Sequence, residues 1–305
     1  MGAVRAATYA VLIAGMLLAC LPAVATAGPP SAASPATTVH RPAGKAPLRY
    51  RDEVFARVDV VPGIRYGSAP GADGRPVLLT LDLYRPVGDR ARRRPAFVWA
   101  HGGGFSSGDS SDVQMSEAAR AFAARGYVAV SINYRLLNDG SCERACRSHI
   151  LAAQHDAQAA VRWLRSRERS LRIDTRRIGI GGSSAGAVTA LLVGTRPNDP
   201  GDSGNPGERS SVRTVASMSG GLPFTTDIGR TDAPTLFFHS SSDMTVPYAW
   251  ARDDAAAFAR LKVPVVLETL PGAGHVPWDR YGARFVKHSA WFAYQQLGLA
   301  RLPAR

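Results

Sequence analysis

The sequence predicts an α/β domain: a mostly parallel eight-stranded sheet flanked by helices, with no large lid or cap. Three observations predict it. Short apolar runs alternate with helical patterns, the signature of strand–helix–strand units whose crossovers cover both faces of a parallel sheet. Glycine- and serine-rich turns follow several of those runs, at the carboxyl ends where ligands bind in such sheets. Of the 305 residues, about 255 remain once an N-terminal leader and tail are set aside, which suits one domain with a sizeable core.

Strands are predicted near Val54–Val61, Val77–Tyr84, Ala96–Ala100, Val128–Asn133, Ile178–Gly181, Val212–Met218, Thr235–His239 and Val263–Leu270. The runs Pro95–Ala100, Arg177–Ile180 and Pro234–His239 read as buried strands, being short and apolar. Pro264 is tolerable because it sits at the start of its run. Helices are predicted near Ser116–Ala124, His149–Arg165, Ala185–Gly194, Tyr248–Leu261 and Tyr281–Leu297. No internal repeat interrupts the alternation.

The strongest chemical signal is Gly181-Gly182-Ser183-Ser184-Ala185-Gly186, which carries G-x-S-x-G at Gly182, Ser184 and Gly186. It lies between a predicted strand and a predicted helix. A serine in that turn is forced into a tight backbone conformation and needs small neighbours. The turn lifts the hydroxyl above the sheet, and the helix N-terminus beside it favours negative charge. Small residues are abundant in this chain, so the motif gains weight only if other parts of a hydrolase follow in order.

They do. Upstream stands His101-Gly102-Gly103-Gly104-Phe105, after a strand-like run. Consecutive glycines turn backbone N–H groups toward a ligand, as stabilisation of a developing oxyanion requires. Downstream, Asp243 leaves the Thr235–His239 strand ahead of a helix, where it can reach sideways to a histidine. Asp232 precedes its strand, on the wrong edge, and Asp253 and Asp254 fall inside the helix and read as solvated. His275 lies in Leu270-Pro271-Gly272-Ala273-Gly274-His275, and is the histidine in a glycine-flanked loop downstream of both Ser184 and Asp243. His40, His149, His155, His239 and His288 read as bystanders, and His101 as a brace for the glycine loop.

With these parts in order, the chain resembles the α/β-hydrolase superfamily and, more narrowly, the HGGG-type esterases and lipases related to hormone-sensitive lipase and the carboxylesterases. The resemblance runs from about Val54 to about Leu299 and includes Leu81-Asp82-Leu83-Tyr84-Arg85-Pro86 and Asn133-Tyr134-Arg135. Many relatives carry Asp at the position of Asn133, which we take as a scaffold difference. The resemblance implies Ser184 as nucleophile, His275 as general base and then acid, and Asp243 as the group that fixes the imidazole tautomer. It implies an oxyanion hole from the N–H groups of Gly103, Gly104 and Ala185, and it implies no cofactor and no metal.

Residues 1–27 read as a signal peptide: Arg5 in the n-region, an apolar stretch from Ala10 to Leu21, and Ala25-Thr26-Ala27 as a cleavage site. An alternative is lipid anchoring at Cys20 within Leu17-Leu18-Ala19-Cys20. Residues 28–48 have the Pro/Ala-rich composition of a tail, and residues 49–305 form the catalytic domain. In an exported chain, the pair Cys142 and Cys146 reads as a local disulfide that stiffens a loop near the site.

The formal net charge is +13, from 37 Lys and Arg against 24 Asp and Glu. One reading is weak attraction to anionic surfaces. The other, which we favour at this level, is a GC-rich coding bias toward Arg, Ala and Pro. A nucleic-acid partner is not expected, because no aromatics interleave with the basic runs and no recognisable module is present. The short stretch between Ser219 and Asp232 leaves no room for a helical lid, so the site is expected to be open, with Phe105, Leu222, Phe224 and Trp278 near it. Oligomeric state and natural substrate carry no signal. Two other functions stay open: a serine peptidase of the same fold, and a non-catalytic binding protein on a hydrolase scaffold.

Overall fold

The computed structural model describes residues 46–137, 142–223 and 228–301, without the side chains of residues 142–146. The signal peptide, most of the tail, Cys20 and Phe224 lie outside the described residues.

In chain order the elements are β1 (Val58–Pro70), β2 (Pro76–Pro86), β3 (Arg94–Ala100), α1 (Val113–Ala124), β4 (Val128–Ile132), α2 (Cys142–Ser166), α3 (Glu168–Leu171), β5 (Ile173–Ser183), α4 (Ala185–Thr195), β6 (Val215–Met218), β7 (Thr235–Ser240), α5 (Tyr248–Arg260), β8 (Val265–Leu270) and α6 (Trp278–Gln296). They build one eight-stranded sheet in the order β1-β2-β4-β3-β5-β6-β7-β8. The β1–β2 hairpin and the β2–β4 pair are antiparallel, and every later pairing is parallel. The expected fold class is what the chain adopts.

Strand β3 shows why helices cover both faces. All its residues are buried, and successive side chains of a strand point to opposite faces. Ala96, Val98 and Ala100 join a core with Ala153, Ala160, Leu191 and Phe258, from α2, α4 and α5. Phe97 and Trp99 join the other, with Met115, Phe122 and Phe285 from α1 and α6. There Phe97 sits 4.4 Å from Phe122 and Trp99 5.0 Å from the same ring, centroid to centroid. Burying each such aromatic contributes roughly 1.5–3 kcal/mol.

The first strand lies further along the chain than expected. Register shifts between Val61 and Ile64 and between Arg65 and Gly67 break the alternation that would have marked it. Helix α2 begins at Cys142 and not near His149, so the backbones of Cys142 and Cys146 stand in a helix and not in a loop. Their side chains, and with them the expected disulfide, lie outside the described residues. No helix among the described residues is long and apolar enough to cross a membrane.

Candidate active site

Ser184 stands between β5 and α4 with φ 51° and ψ −120°. That left-handed backbone is uncommon for a residue with a side chain and costs on the order of 1–3 kcal/mol. The surrounding packing enforces it. The Ser184 N–H donates to the Met218 carbonyl at 2.9 Å, which ties the turn to β6. Gly186 lies against the carbonyls of Ala100 and His101, where a Cβ would stand 2.0 and 2.4 Å from the two oxygens. The glycine spacing is therefore a packing requirement that lets α4 start directly against the end of β3.

His275 arrives from the loop between β8 and α6. Its Nε2 lies 2.8 Å from Ser184 Oγ, and its Nδ1 2.8 Å from Asp243 Oδ2. With Nδ1–H donating to the carboxylate, Nε2 presents a lone pair to the serine hydroxyl, the tautomer a general base needs. Serine hydroxyls hold the loop in place. The Ala273 N–H donates to Ser240 Oγ at 2.9 Å, the Gly274 N–H to Ser242 Oγ at 3.2 Å, and the Val276 N–H to Ser219 Oγ at 3.1 Å.

Asp243 follows β7. Its Oδ1 accepts the N–H groups of Thr245 and Val246, both at 2.9 Å. Burial would raise its pKa. Hydrogen bonds from His239 and His275, the charge of His275 and the Val246 N–H outweigh burial and hold the carboxyl well below the usual carboxylate range. The group is an anion at any pH where an imidazole can act as a base.

The glycine loop passes beside the serine, and a Cβ on Gly102 would lie 3.4 Å from the Ser184 Cβ. Gly103 and Gly104 take φ of 103° and 62°, open to glycine and costly for other residues. His101 braces the loop as expected: its Nδ1–H donates to the Gly102 carbonyl at 2.7 Å. Its ring stacks on Tyr134 at 4.2 Å, and the Tyr134 hydroxyl donates to the His101 carbonyl at 2.8 Å. Burial lowers the His101 pKa and raises that of Tyr134, so a neutral imidazole and a neutral phenol support the loop. Ala185 opens α4, where the first N–H groups of a helix have no partner within it. The N–H groups of Gly103, Gly104 and Ala185 thus belong to two segments that meet at Ser184.

Other expected residues fall as follows. Asp232 caps its own turn, accepting the Gly229 N–H at 2.7 Å ahead of β7. Asp254, read as solvated, is fully buried and accepts the Leu222 N–H at 2.6 Å, which fixes the segment after β6. Asn133 accepts the Ser110 N–H at 2.8 Å and donates to Thr80 Oγ1 at 2.8 Å, a scaffold role that uses both ends of the amide. Phe105 and Leu222 are buried, and the Trp278 indole donates to Glu117 at 2.9 Å. His239, read as a bystander, is not remote from the site: its Nε2 lies 2.9 Å from the Val246 carbonyl and 3.3 Å from Asp243 Oδ2.

Residues 81–221 match the family model described as BD-FAE. The chain is 30% identical to the esterase LipI of Mycobacterium tuberculosis over 173 residues, which cover 50% of this chain and 51% of LipI. It is 28% identical to gut esterase 1 of Caenorhabditis elegans over 49% of this chain and 25% of that protein. The chain thus spans about half the length, or less, of these curated relatives. Among solved structures, Thermogutta terrifontis esterase 2 phosphoramylated by tabun superposes with a TM-score of 0.66 at 24% identity, covering 84% of this chain and all of that one. A truncated carbohydrate esterase from gut microbiota superposes at 0.64 with 19% identity, over 81% of this chain and 98% of that one. The structural matches carry the fold, and the BD-FAE match spans the glycine loop and the serine elbow. The chain has the fold of these esterase structures, and its residues 81–221 are similar to the BD-FAE family.

Proposed function

We propose that the protein is an exported serine esterase that hydrolyses carboxylic esters through an acyl-enzyme, with Ser184, His275 and Asp243 as its catalytic triad. The observation that carries this reading is the hydrogen-bonded chain Ser184 Oγ to His275 Nε2 and His275 Nδ1 to Asp243 Oδ2, each 2.8 Å long.

Ser184 Oγ attacks the ester carbonyl as its proton passes to His275 Nε2, and the carbonyl oxygen becomes an anion. The N–H groups of Gly103, Gly104 and Ala185 take up that charge, each donor contributing about 3 kcal/mol to the transition state. Collapse breaks the bond to the alkoxy oxygen, which leaves as the alcohol with the proton from His275. Water, deprotonated by the same Nε2, then attacks the acyl-enzyme and releases the acid. Asp243 stays ionised throughout and stabilises the imidazolium.

The short β6–β7 connection favours an open site, suited to short acyl groups on bulky or polymeric alcohols. The likeness to a carbohydrate esterase is compatible with acylated sugars as that alcohol side. Export rests on the leader-like residues 1–27, with lipid anchoring at Cys20 as the alternative that the mass of the mature N-terminus separates.

The test is hydrolysis of p-nitrophenyl esters from acetate to dodecanoate by the wild type and Ser184→Ala. Short chains should be preferred, and the variant should lose about a thousandfold or more. A folded but inactive wild type, or an unaffected variant, would overturn the assignment.

A further inference from the structure

The arginines that the sequence scatters are gathered by the fold. Arg165 lies in the last turn of α2, Arg176 and Arg177 lie in the first half of β5, Arg209 and Arg213 precede β6, and Arg301 follows α6. Together they line one cleft of about 880 Å3. Arg177 and Ser184 stand toward opposite ends of the β5 run, roughly 23 Å apart at ~3.3 Å per residue. The cleft and the candidate active site therefore occupy opposite edges of the sheet.

Charge is poorly balanced in this cleft. Asp174 takes Arg176 at 3.4 Å and pairs with Arg177 as well, so two cations share one carboxylate. Among the described residues, no carboxylate lies within ion-pair distance of Arg165, Arg209, Arg213 or Arg301. Arg165 is only 8% exposed and spends its donors on carbonyl oxygens, those of Arg209, Ser211 at 2.7 Å and Thr175 at 3.4 Å. Burial, reinforced by the charge of Arg209 and opposed by Glu208, pushes its guanidinium down to about 10, so it stays cationic at neutral pH. A buried cation whose hydrogen-bond partners are all carbonyls leaves a desolvation cost that a closely placed anion would offset. Arg209, Arg213 and Arg301 are exposed around it.

We infer that this cleft binds a ligand carrying two or more clustered phosphate groups. Guanidinium forks match phosphate oxygens bidentately, and a concave wall of one sign concentrates the field. Several cations around a cleft of this size call for a multivalent anion. A free oligophosphate and a phosphate-bearing polymer share that chemistry. The inference does not depend on the proposed esterase activity, because none of these residues touches the triad.

The test is calorimetric titration of the full chain with tripolyphosphate, orthophosphate and long-chain polyphosphate. One tripolyphosphate should bind per chain, and orthophosphate at least about tenfold more weakly. The triple variant Arg209→Gln, Arg213→Gln, Arg301→Gln should weaken tripolyphosphate binding by about thirtyfold while leaving ester hydrolysis unchanged. A control triple variant, Arg90→Gln, Arg92→Gln, Arg260→Gln, removes the same charge elsewhere and should cost less than about threefold. Tighter binding of the long chain per phosphate would identify a polymer as the source, and equal binding a small ligand. Absence of binding at about 1 mM, orthophosphate as tight as tripolyphosphate, or equal losses in the two triple variants would overturn the inference.

Discussion

His239 Nε2 lies 3.3 Å from Asp243 Oδ2, the same oxygen that accepts the hydrogen bond of His275. The candidate triad is therefore extended by a second imidazole, 1% exposed, that faces the acid from β7 and cannot reach the serine. We expect His239→Leu to lower kcat on p-nitrophenyl acetate by roughly tenfold at unchanged KM, and stability by about 1–3 kcal/mol, as it strips the Val246 carbonyl and the carboxylate of a donor. His239→Gln, which can restore one N–H donor, should recover most of the loss in kcat. Kinetics of His239→Leu indistinguishable from wild type would reduce His239 to core packing.

Asp243→Asn should be far more severe. The N–H groups of Thr245 and Val246 pin one side-chain oxygen of Asp243 at Oδ1. The new amide must therefore place its NH2 where Oδ2 now faces His275. A donor there forces His275 into the tautomer with the proton on Nε2, pointing at Ser184. A fall of about ten thousandfold in kcat is expected, with the fold retained. Steady-state rates beside a circular dichroism spectrum check this, and a loss below tenfold would contradict it.

The same carboxylate makes the fold acid-sensitive. Its folded pKa lies below the ordinary value, so its contribution to stability is fully present above the unfolded pKa of about 3.9 and is lost as pH falls from there toward the folded value. Wild-type Tm should therefore drop below about pH 4 more steeply than that of Asp243→Asn, which has no proton to bind. Parallel Tm curves for the two proteins between neutral pH and about pH 2.5 would refute the linkage.

Gly186→Ala tests the elbow. The added Cβ would meet two backbone oxygens at 2.0 and 2.4 Å, neither of which can rotate away. We expect a loss of at least about 3 kcal/mol, read by urea denaturation, or failure to accumulate as folded protein. A variant of wild-type stability would mean that α4 can slide away from β3.

The hydrogen-bonded group Ser184, His275 and Asp243 was legible because its members are punctuated by chemistry that survives in one dimension. Ser184 is framed by glycines, His275 sits in a glycine loop, and Asp243 follows a strand, all in serine, acid, histidine order. His239 was not legible: within Thr235–His239 it is one more residue of a buried run, and its proximity to Asp243 depends on the turn through Ser240–Ser242 bending back. Asp254 was misread for a related reason. Its place in α5 says nothing of the loop after β6, whose Leu222 N–H it accepts. The missed start of α2 reflects polar residues such as Glu143, Arg144 and Arg147 in its first turns, which hide the apolar period. The arginine cleft was invisible because its members come from distant segments that only the sheet order brings together.

Strand β8 closes the sheet at one edge, pairs only with β7 and is half exposed along much of its length. It also leads into the loop that carries His275. The proposed nucleophile and base therefore hang on parts of the molecule with different resistance to opening, Ser184 on the buried middle of the sheet and His275 beyond its last strand. Fraying of that margin would unplug the base while the interior remains intact. On slow heating the protein should fall silent as a catalyst before it melts, and cooling from that interval should restore it.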